Sequence, residues 1–208
     1  MTEPATRAAW AAWLAALDDA GLPGAANTRP PAGPSEVAAA EQVFGRPFPD
    51  ELRATYLLHD GQWNDHPRSP GYKPERMTSL FPATYRMLPL AEAAAQYRDW
   101  LQVVEMVGHE HVTVRAGDPV RAHYWDPGWW PLAVDGGGNA LVVDTVPEPG
   151  GDPGQIVVAG PDEDERRRVG RGLVDYLGRL TASVLPVPEV HDGDDRPVYL
   201  FWDLPQLR

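Results

Sequence analysis

The sequence predicts a single domain in which short helices precede an antiparallel sheet. Apolar residues recur at helical spacing through the first half of the chain, whereas the second half holds short β-branched or aromatic segments between Gly, Pro and Asp clusters. The 208 residues are 43% apolar and include eight Trp, which is enough to bury one core of ordinary size. A second large domain is therefore not expected.

Helical periodicity predicts five helices, over residues 8–17, 35–44, 49–60, 91–106 and 162–185. In the first, Trp10, Trp13, Leu14 and Leu17 follow the i, i+3, i+4, i+7 pattern of one buried face. In the last, the acidic residues 162–165 stand mostly four positions before the arginines 166–168. That spacing predicts a solvated helix face whose charges pair with one another.

Strands are expected over residues 112–114, 122–125, 129–134, 140–145 and 155–158, with an edge strand over 198–202. The glycine cluster of residues 136–138 lies between two of them. A phosphate-binding loop must lead from a strand into a helix, and here a strand follows. The cluster is therefore interpreted as a hairpin turn. Residues 1–185 are expected to form the domain and residues 186–208 an acidic C-terminal arm that carries the edge strand.

The charge balance limits the partners of the chain. Eighteen Lys and Arg against 30 Asp and Glu give a net charge of −12, which repels nucleic acid and anionic membranes and favours a basic protein partner. No apolar run reaches the roughly 18 residues of a membrane span. Because Asp18 and Asp19 follow the apolar run 8–17 directly, that run is interpreted as a helix rather than a signal peptide, and a cytoplasmic location is expected.

No motif in the sequence indicates catalysis, a bound cofactor or a bound metal ion. The serines lack a nucleophile elbow, and there is no cysteine. The pair His109 and His111 lacks a third ligand, and the group around His59 and Asp60, with Asp65 and His66, is equally typical of helix ends and turns. The protein is accordingly expected not to be an enzyme, and to carry neither a metal nor a cofactor.

A partner-binding site is predicted in and beside residues 62–82, a polar segment rich in Pro, Gly and aromatic residues. Trp63 and Tyr72 are the expected anchors, because aromatic side chains bury much area at little entropic cost. Asp60, Asp65 and Glu75 would frame them and attract a basic partner.

An ordered set of short motifs over roughly residues 7–182 resembles the Smi1/Knr4 family of the SUKH superfamily. The first half carries Leu14 to Leu17, Ser35-Glu36 with Glu41 and Phe44, and Phe48-Pro49-Asp50-Glu51-Leu52-Arg53 running to Tyr56 and His59-Asp60-Gly61. The second half carries Trp130-Pro131-Leu132-Ala133, Gly137-Gly138-Asn139, Leu141-Val142-Val143-Asp144, Gly154-Gln155-Ile156-Val157, Leu173 and Tyr176-Leu177. Asp60 stands where the family pattern usually has Asn, and residues 170–173 also depart from it.

The resemblance implies an α+β fold, with a mixed or antiparallel sheet flanked by helices, and a binding role without catalysis. Bacterial members of the family are often immunity proteins, and on that basis the main functional hypothesis is neutralisation of a cognate toxin with a basic surface. The alternative is a scaffold or regulatory interaction module, as in fungal cell-wall signalling. The third hypothesis is an uncharacterised hydrolase that uses His59 or the acidic C-terminal loop.

Overall fold

The computed structural model describes residues 2–63, 78–109, 112–193 and 196–207. Its helices are α1 (Thr2–Asp19), α2 (Gly24–Asn27), α3 (Pro34–Phe44), α4 (Asp50–Tyr56), α5 (Leu90–Val107) and α6 (Leu173–Thr181), with a short 3-10 helix at Pro205–Leu207. Its strands are β1 (Arg86–Met87), β2 (Thr113–Val114), β3 (Trp129–Val134), β4 (Ala140–Asp144), β5 (Gln155–Ala159), β6 (Glu165–Gly170), β7 (Glu189–Gly193) and β8 (Arg196–Phe201). Within the described part of the chain, every helix is too short or too polar to cross a bilayer.

Six of the strands form one mixed sheet in the order β1-β3-β4-β5-β6-β2. The neighbours β1/β3, β3/β4, β4/β5 and β5/β6 are antiparallel, and β2 pairs in parallel with β6. Strands β7 and β8 form a separate antiparallel pair. The predicted α+β fold with a mixed or antiparallel sheet is thus confirmed.

Both faces of the sheet are buried, so its central strands are mostly apolar instead of alternating with polar residues; the buried Asp144 and Gln155 at their ends bond to each other. In β4, Leu141 and Val143 point to the main core, and Ala140 and Val142 point to a smaller core on the opposite face. Helices α1, α3, α4 and α6 cover the main core. The smaller core is closed by Trp100 of α5 and by the segment before β3, whose Trp125 stacks on Trp100 with ring centroids 4.8 Å apart.

Trp13 and Leu14, predicted on the apolar face of the first helix, are buried, and so are Phe44, Leu52, Tyr56, Trp130, Leu132 and Leu173. At the centre of this group, the Trp130 ring contacts Phe44, Phe48 and Tyr97 at centroid distances of 5.4, 4.8 and 5.8 Å. The predicted turn at residues 136–139 is also present. There the Asp135 carboxylate accepts hydrogen bonds of 2.8 Å from the Gly137 and Asn139 amides.

The prediction of one long helix over residues 162–185 is wrong. Residues 165–170 form β6, which pairs with β5 on one side and β2 on the other, and only residues 173–181 are helical. The Arg166 side chain is fully buried rather than solvated. Its guanidinium donates hydrogen bonds to the backbone oxygens of His123 (3.1 Å) and Tyr124 (2.8 Å). Glu163 does pair with Arg167 four residues later, at 2.5 Å, but Arg167 lies in β6 and Glu163 in the segment before it, not in a helix.

Residues 122–125, predicted as a strand, are irregular. The His123 amide donates to the Arg121 oxygen, and the backbone oxygens of His123 and Tyr124 accept from Arg166, so these groups have partners outside a strand. The expected edge strand at 198–202 corresponds to β8, which pairs with β7 instead of extending the main sheet.

Both described ends of the predicted surface loop 62–82 are buried, because Gln62, Leu80 and Phe81 lie in the interior. After β8, Trp202, Leu204 and Leu207 belong to the main core. The boundary between domain and arm at residue 185 stays a prediction.

Replacing Trp130 by Ala is expected to lower the free energy of unfolding by about 3–5 kcal/mol, because the surrounding rings cannot collapse into the cavity. Urea denaturation followed by circular dichroism measures the change. Met106→Ala on the exposed surface of α5 is the matched control, and it should cost less than about 0.5 kcal/mol. Equal stability of the Trp130 variant and the parent would show that the inner face of β3 is misplaced.

Candidate functional site

Helix α4 connects most of the elements around the main core. It begins after Pro49, and its first turn carries Asp50 and Glu51, which suit the positive end of a helix. The Trp10 indole of α1 donates a 2.9 Å hydrogen bond to the Thr55 hydroxyl, and the Trp130 indole of β3 donates one of 3.2 Å to the Tyr56 hydroxyl. One face of α4 is therefore fixed to α1 and to the sheet at the same time.

Two carboxylates in and after α4 cap the first turns of other helices. Glu51 accepts a 3.0 Å hydrogen bond from the Val174 amide of α6, and Asp60 accepts one of 2.8 Å from the Leu90 amide of α5. The residues that precede these helices, Gly172 and Pro89, supply no side-chain cap of their own. Because the first amides of a helix have no partner within the helix, these distant acids satisfy donors that would otherwise be unpaired.

The turn after α4 fixes the start of α5 at close range. Gly61 has φ of +72°, and a Cβ at this position would lie 2.4 Å from the Pro89 nitrogen. The adjacent Gln62 is buried, and its side-chain oxygen accepts 3.0 Å hydrogen bonds from the Leu80 and Met87 amides. Only glycine permits this contact, so residues 60–62 hold α5 and β1 against one turn.

A groove with a volume of ≈ 400 Å³ lies between α3 and α5, directly beside this turn. Small apolar side chains from the two helices form most of its surface, and charged side chains stand at its edge. The lining residues are Arg29, Glu36, Ala39, Ala40, Val43, Asp60, Pro89, Leu90, Ala91, Glu92 and Ala94. Alanines on both walls leave open space that larger side chains would fill.

Arg29 stands at the groove between Asp60 and Trp63. Its guanidinium lies 3.7 Å from an Asp60 carboxylate oxygen and 5.0 Å from the centre of the Trp63 ring. The Arg29 backbone is fixed as well, because its amide donates to the Gly61 oxygen at 3.0 Å. The buried Nε of Arg29 has no hydrogen-bond acceptor among the residues that the structure describes.

The carboxylates at the groove outnumber the guanidinium groups. Glu36, Asp60 and Glu92 line it together with Arg29. Glu36 also accepts a 2.6 Å hydrogen bond from the Gly33 amide, and Glu92 pairs at 2.9 Å with Arg86, which lies outside the groove. With both arginines counted, the surroundings of the groove remain negatively charged.

Two of the five predicted partner-binding residues, Asp60 and Trp63, come together at the groove through Arg29. The other three, Asp65, Tyr72 and Glu75, lie outside the described residues. The Asp60 side chain is only 17% exposed, and both its oxygens have partners, so it shapes the groove more than it presents a free charge. Sequence reasoning missed Arg29 and the alanine walls. The spacing of Glu36, Ala39, Ala40 and Val43 at i, i+3, i+4, i+7 was the signal that could have found one wall.

His59 and His109, considered above as possible metal ligands, pack against aromatic rings in the structure. His59 packs edge-on against Trp10, with ring centroids 5.6 Å apart, and burial lowers the pKa of its imidazole below 6.5. His109 stacks on His123 at 4.2 Å, and its Nδ1 accepts a 3.2 Å hydrogen bond from the Tyr124 amide. His66, Glu110 and His111 lie outside the described residues. Among the residues inside that set, no three His, Asp or Glu side chains are grouped so that they could hold a metal ion.

His59 should make the protein less stable in mild acid. Because burial lowers the pKa of His59 in the folded state, the unfolded chain binds the proton more tightly. The contribution of neutral His59 to the free energy of unfolding is therefore complete above pH 6.5 and falls as the pH drops below that value. Urea denaturation at about pH 7.5 and about pH 5.5 measures the loss of unfolding free energy. His59→Gln, which keeps His109 and every other titrating group, should lose less. An identical loss in both proteins would contradict the burial of a neutral His59.

Comparison with known proteins places this architecture in a family. The SMI1 / KNR4 family (SUKH-1) model matches residues 31–179. The chain is 25% identical over 184 residues to the cell wall biosynthesis/cell cycle regulator smi1 of Schizosaccharomyces pombe, covering 83% of this chain and 34% of that protein. It is 25% identical over 183 residues to the cell wall assembly regulator SMI1 of Saccharomyces cerevisiae, covering 71% and 34%.

A shorter match of 41% identity over 65 residues, 31% of this chain and 12% of the other, joins it to the glucan synthesis regulatory protein of Neurospora crassa. The chain thus spans about a third of the length of the first two curated relatives. Since the family model covers more than half of the chain and includes α3, α4, α5 and the sheet, the protein belongs to the SMI1/KNR4 family (SUKH-1).

Proposed function

We propose that this protein is a regulatory protein-interaction module without catalytic activity, which acts in the cytoplasm and binds its partner at the groove between α3 and α5. The observation that carries the proposal is the groove itself, with its alanine walls and the Arg29 guanidinium between Asp60 and Trp63. A concave apolar surface with a few fixed polar groups is the usual form of a binding site. Arg29 lines the groove and Trp63 lies beside Arg29, and Arg and Trp are residue types that often dominate binding energy.

The relatives support a regulatory role over a toxin-related one. The two longest matches are named as regulators of cell wall biosynthesis or assembly, and the third as a regulator of glucan synthesis. Because this chain matches only about a third of each of the first two, the shared part is proposed to be their interaction module. Regulation of cell-wall synthesis is the process in which we propose that it acts.

Neutralisation of a toxin with a basic surface is the second candidate function. The observation in its favour is the net charge of −12, which would attract such a toxin and raise its association rate. Nucleic acid and membrane surfaces are not proposed as partners, because both carry the same sign of charge as the chain. The two candidates share the groove and differ in the identity of the protein bound.

Groove variants of the full chain should lose the natural partner. The tagged protein is crosslinked in its own cells, and the captured proteins are identified and quantified by mass spectrometry. Ala39→Arg places a long side chain in the groove, and Trp63→Ala removes the ring beside Arg29. Each is expected to weaken binding of the captured partner by about 2 kcal/mol, roughly 30-fold in affinity, if these residues are central to the interface.

Ala38→Arg is the matched control, since Ala38 is exposed on the same helix and does not line the groove. It should retain the partner. A partner retained equally by Ala39→Arg and Ala38→Arg would place the binding surface elsewhere. Capture of a cell-wall synthesis protein would favour the regulatory role, and capture of a toxin would favour the second candidate.

A further inference from the structure

We infer that the element of the partner that occupies the groove is an amphipathic α-helix whose apolar stripe is flanked by Lys or Arg. This inference rests on the proposed binding function and specifies its ligand. Three features of the groove carry it: its two helical walls, the small side chains on them and the excess of carboxylates at its edge.

The walls of the groove exclude an extended peptide that pairs through its backbone. Addition of a strand requires an open sheet edge with unpaired amide and carbonyl groups. Both walls are helices, α3 and α5, whose interior backbone groups are bonded within each helix. A ligand here is therefore held through its side chains, as in helix-in-groove recognition.

The alanines leave space between α3 and α5 in which a third helix can pack. Two helices approach each other more closely when the side chains between them are small. Ala39 on α3 and Ala91 on α5 line the groove as exposed residues, and Ala40, Ala94, Val43 and Leu90 supply further apolar surface around them. Apolar side chains of a third helix, spaced at i, i+4 and i+7, would fill the space that these methyl groups leave open.

The charges at the edge select the flanks of that helix. Glu36 on the α3 wall and Glu92 on the α5 wall are both exposed, so each can contact a cation next to the apolar stripe in addition to its present partner, the Gly33 amide or Arg86. Basic flanks also match the net charge of −12 and speed the encounter.

Selection from a peptide library tests the inference without knowledge of the natural partner. A displayed library of random peptides of about 16 residues, long enough to form a helix on binding, is selected on the full chain. Binders that are also retained by the Ala39→Arg variant are removed. Dissociation constants of the surviving peptides are then measured by fluorescence anisotropy on the parent, Ala39→Arg and Ala38→Arg.

The surviving peptides should share apolar residues at i, i+4 and i+7 and an excess of Lys and Arg, and should become helical on binding by circular dichroism. Their affinity should fall about tenfold or more on Ala39→Arg and change less than about twofold on Ala38→Arg. Peptides with apolar residues at every second position, with acidic flanks, or with equal affinity for Ala39→Arg and the parent would overturn the inference. A selection that yields no groove-dependent peptide would also overturn it. If the natural partner still requires Ala39 in that case, the proposed function stands and only the helical ligand is wrong.

Discussion

The hydrogen bonds from the Glu51 and Asp60 carboxylates to the first turns of α6 and α5 are the contacts on which the arrangement of this domain depends. Each joins residues far apart in sequence, at 3.0 Å for Val174 and 2.8 Å for Leu90. The helices they cap begin after Gly172 and Pro89, which offer no side-chain acceptor. Helix α4 and the turn after it thus set where two other helices start, while Tyr56 and Leu52 bury part of α4 in the core.

The groove follows from this arrangement. Asp60 fixes the first turn of α5, and Gly61 lets the Leu88–Pro89 backbone approach closely enough for that turn to lie beside Arg29. Helix α3 is held through Phe44, whose ring packs against Tyr97 of α5 and Trp130 of β3. The space left between the two helices is the groove. The departure from the family pattern at residue 60 is compatible with this role, because Asp and Asn both offer a side-chain oxygen to the Leu90 amide.

Local patterns were enough to predict the parts of the fold that depend on near neighbours. The apolar face of α1, the strands β3 and β4 and the turn between them were recognisable from spacing alone. Residues 162–170 show why other parts of the fold could not be predicted from local patterns. Their charges satisfy the i, i+4 rule of a helix, yet β6 is determined by Val157 and Val158 across the sheet and by β2. The same limit applies to Arg166, which donates to the nearby backbone oxygens of Gly160 and Glu163 but also to those of His123 and Tyr124, more than 40 residues earlier.

The site was predictable to a similar degree. Trp63 and Asp60 were identified from residue type and position, and they do meet at Arg29. The groove could not be predicted, because it requires α3 and α5, separated by the whole of α4 and residues 57–89, to lie side by side. The i, i+3, i+4, i+7 spacing of Glu36, Ala39, Ala40 and Val43 places these residues on one side of α3, but it does not say which element lies opposite. The alanines of α5 are ordinary helix-forming residues in the sequence.

Amide hydrogen exchange in capping variants tests the central claim most directly. If Glu51 of α4 and Asp60 of the following turn cap the two helices separately, Asp60→Ala should speed exchange at the Leu90 amide by about fivefold, the effect of a cap worth about 1 kcal/mol, and leave Val174 unchanged. Glu51→Ala should do the reverse, and Asp60→Asn should keep Leu90 protected. If each alanine variant speeds exchange at both amides equally, or at neither, the Asp60 and Glu51 carboxylates do not cap the two helices separately.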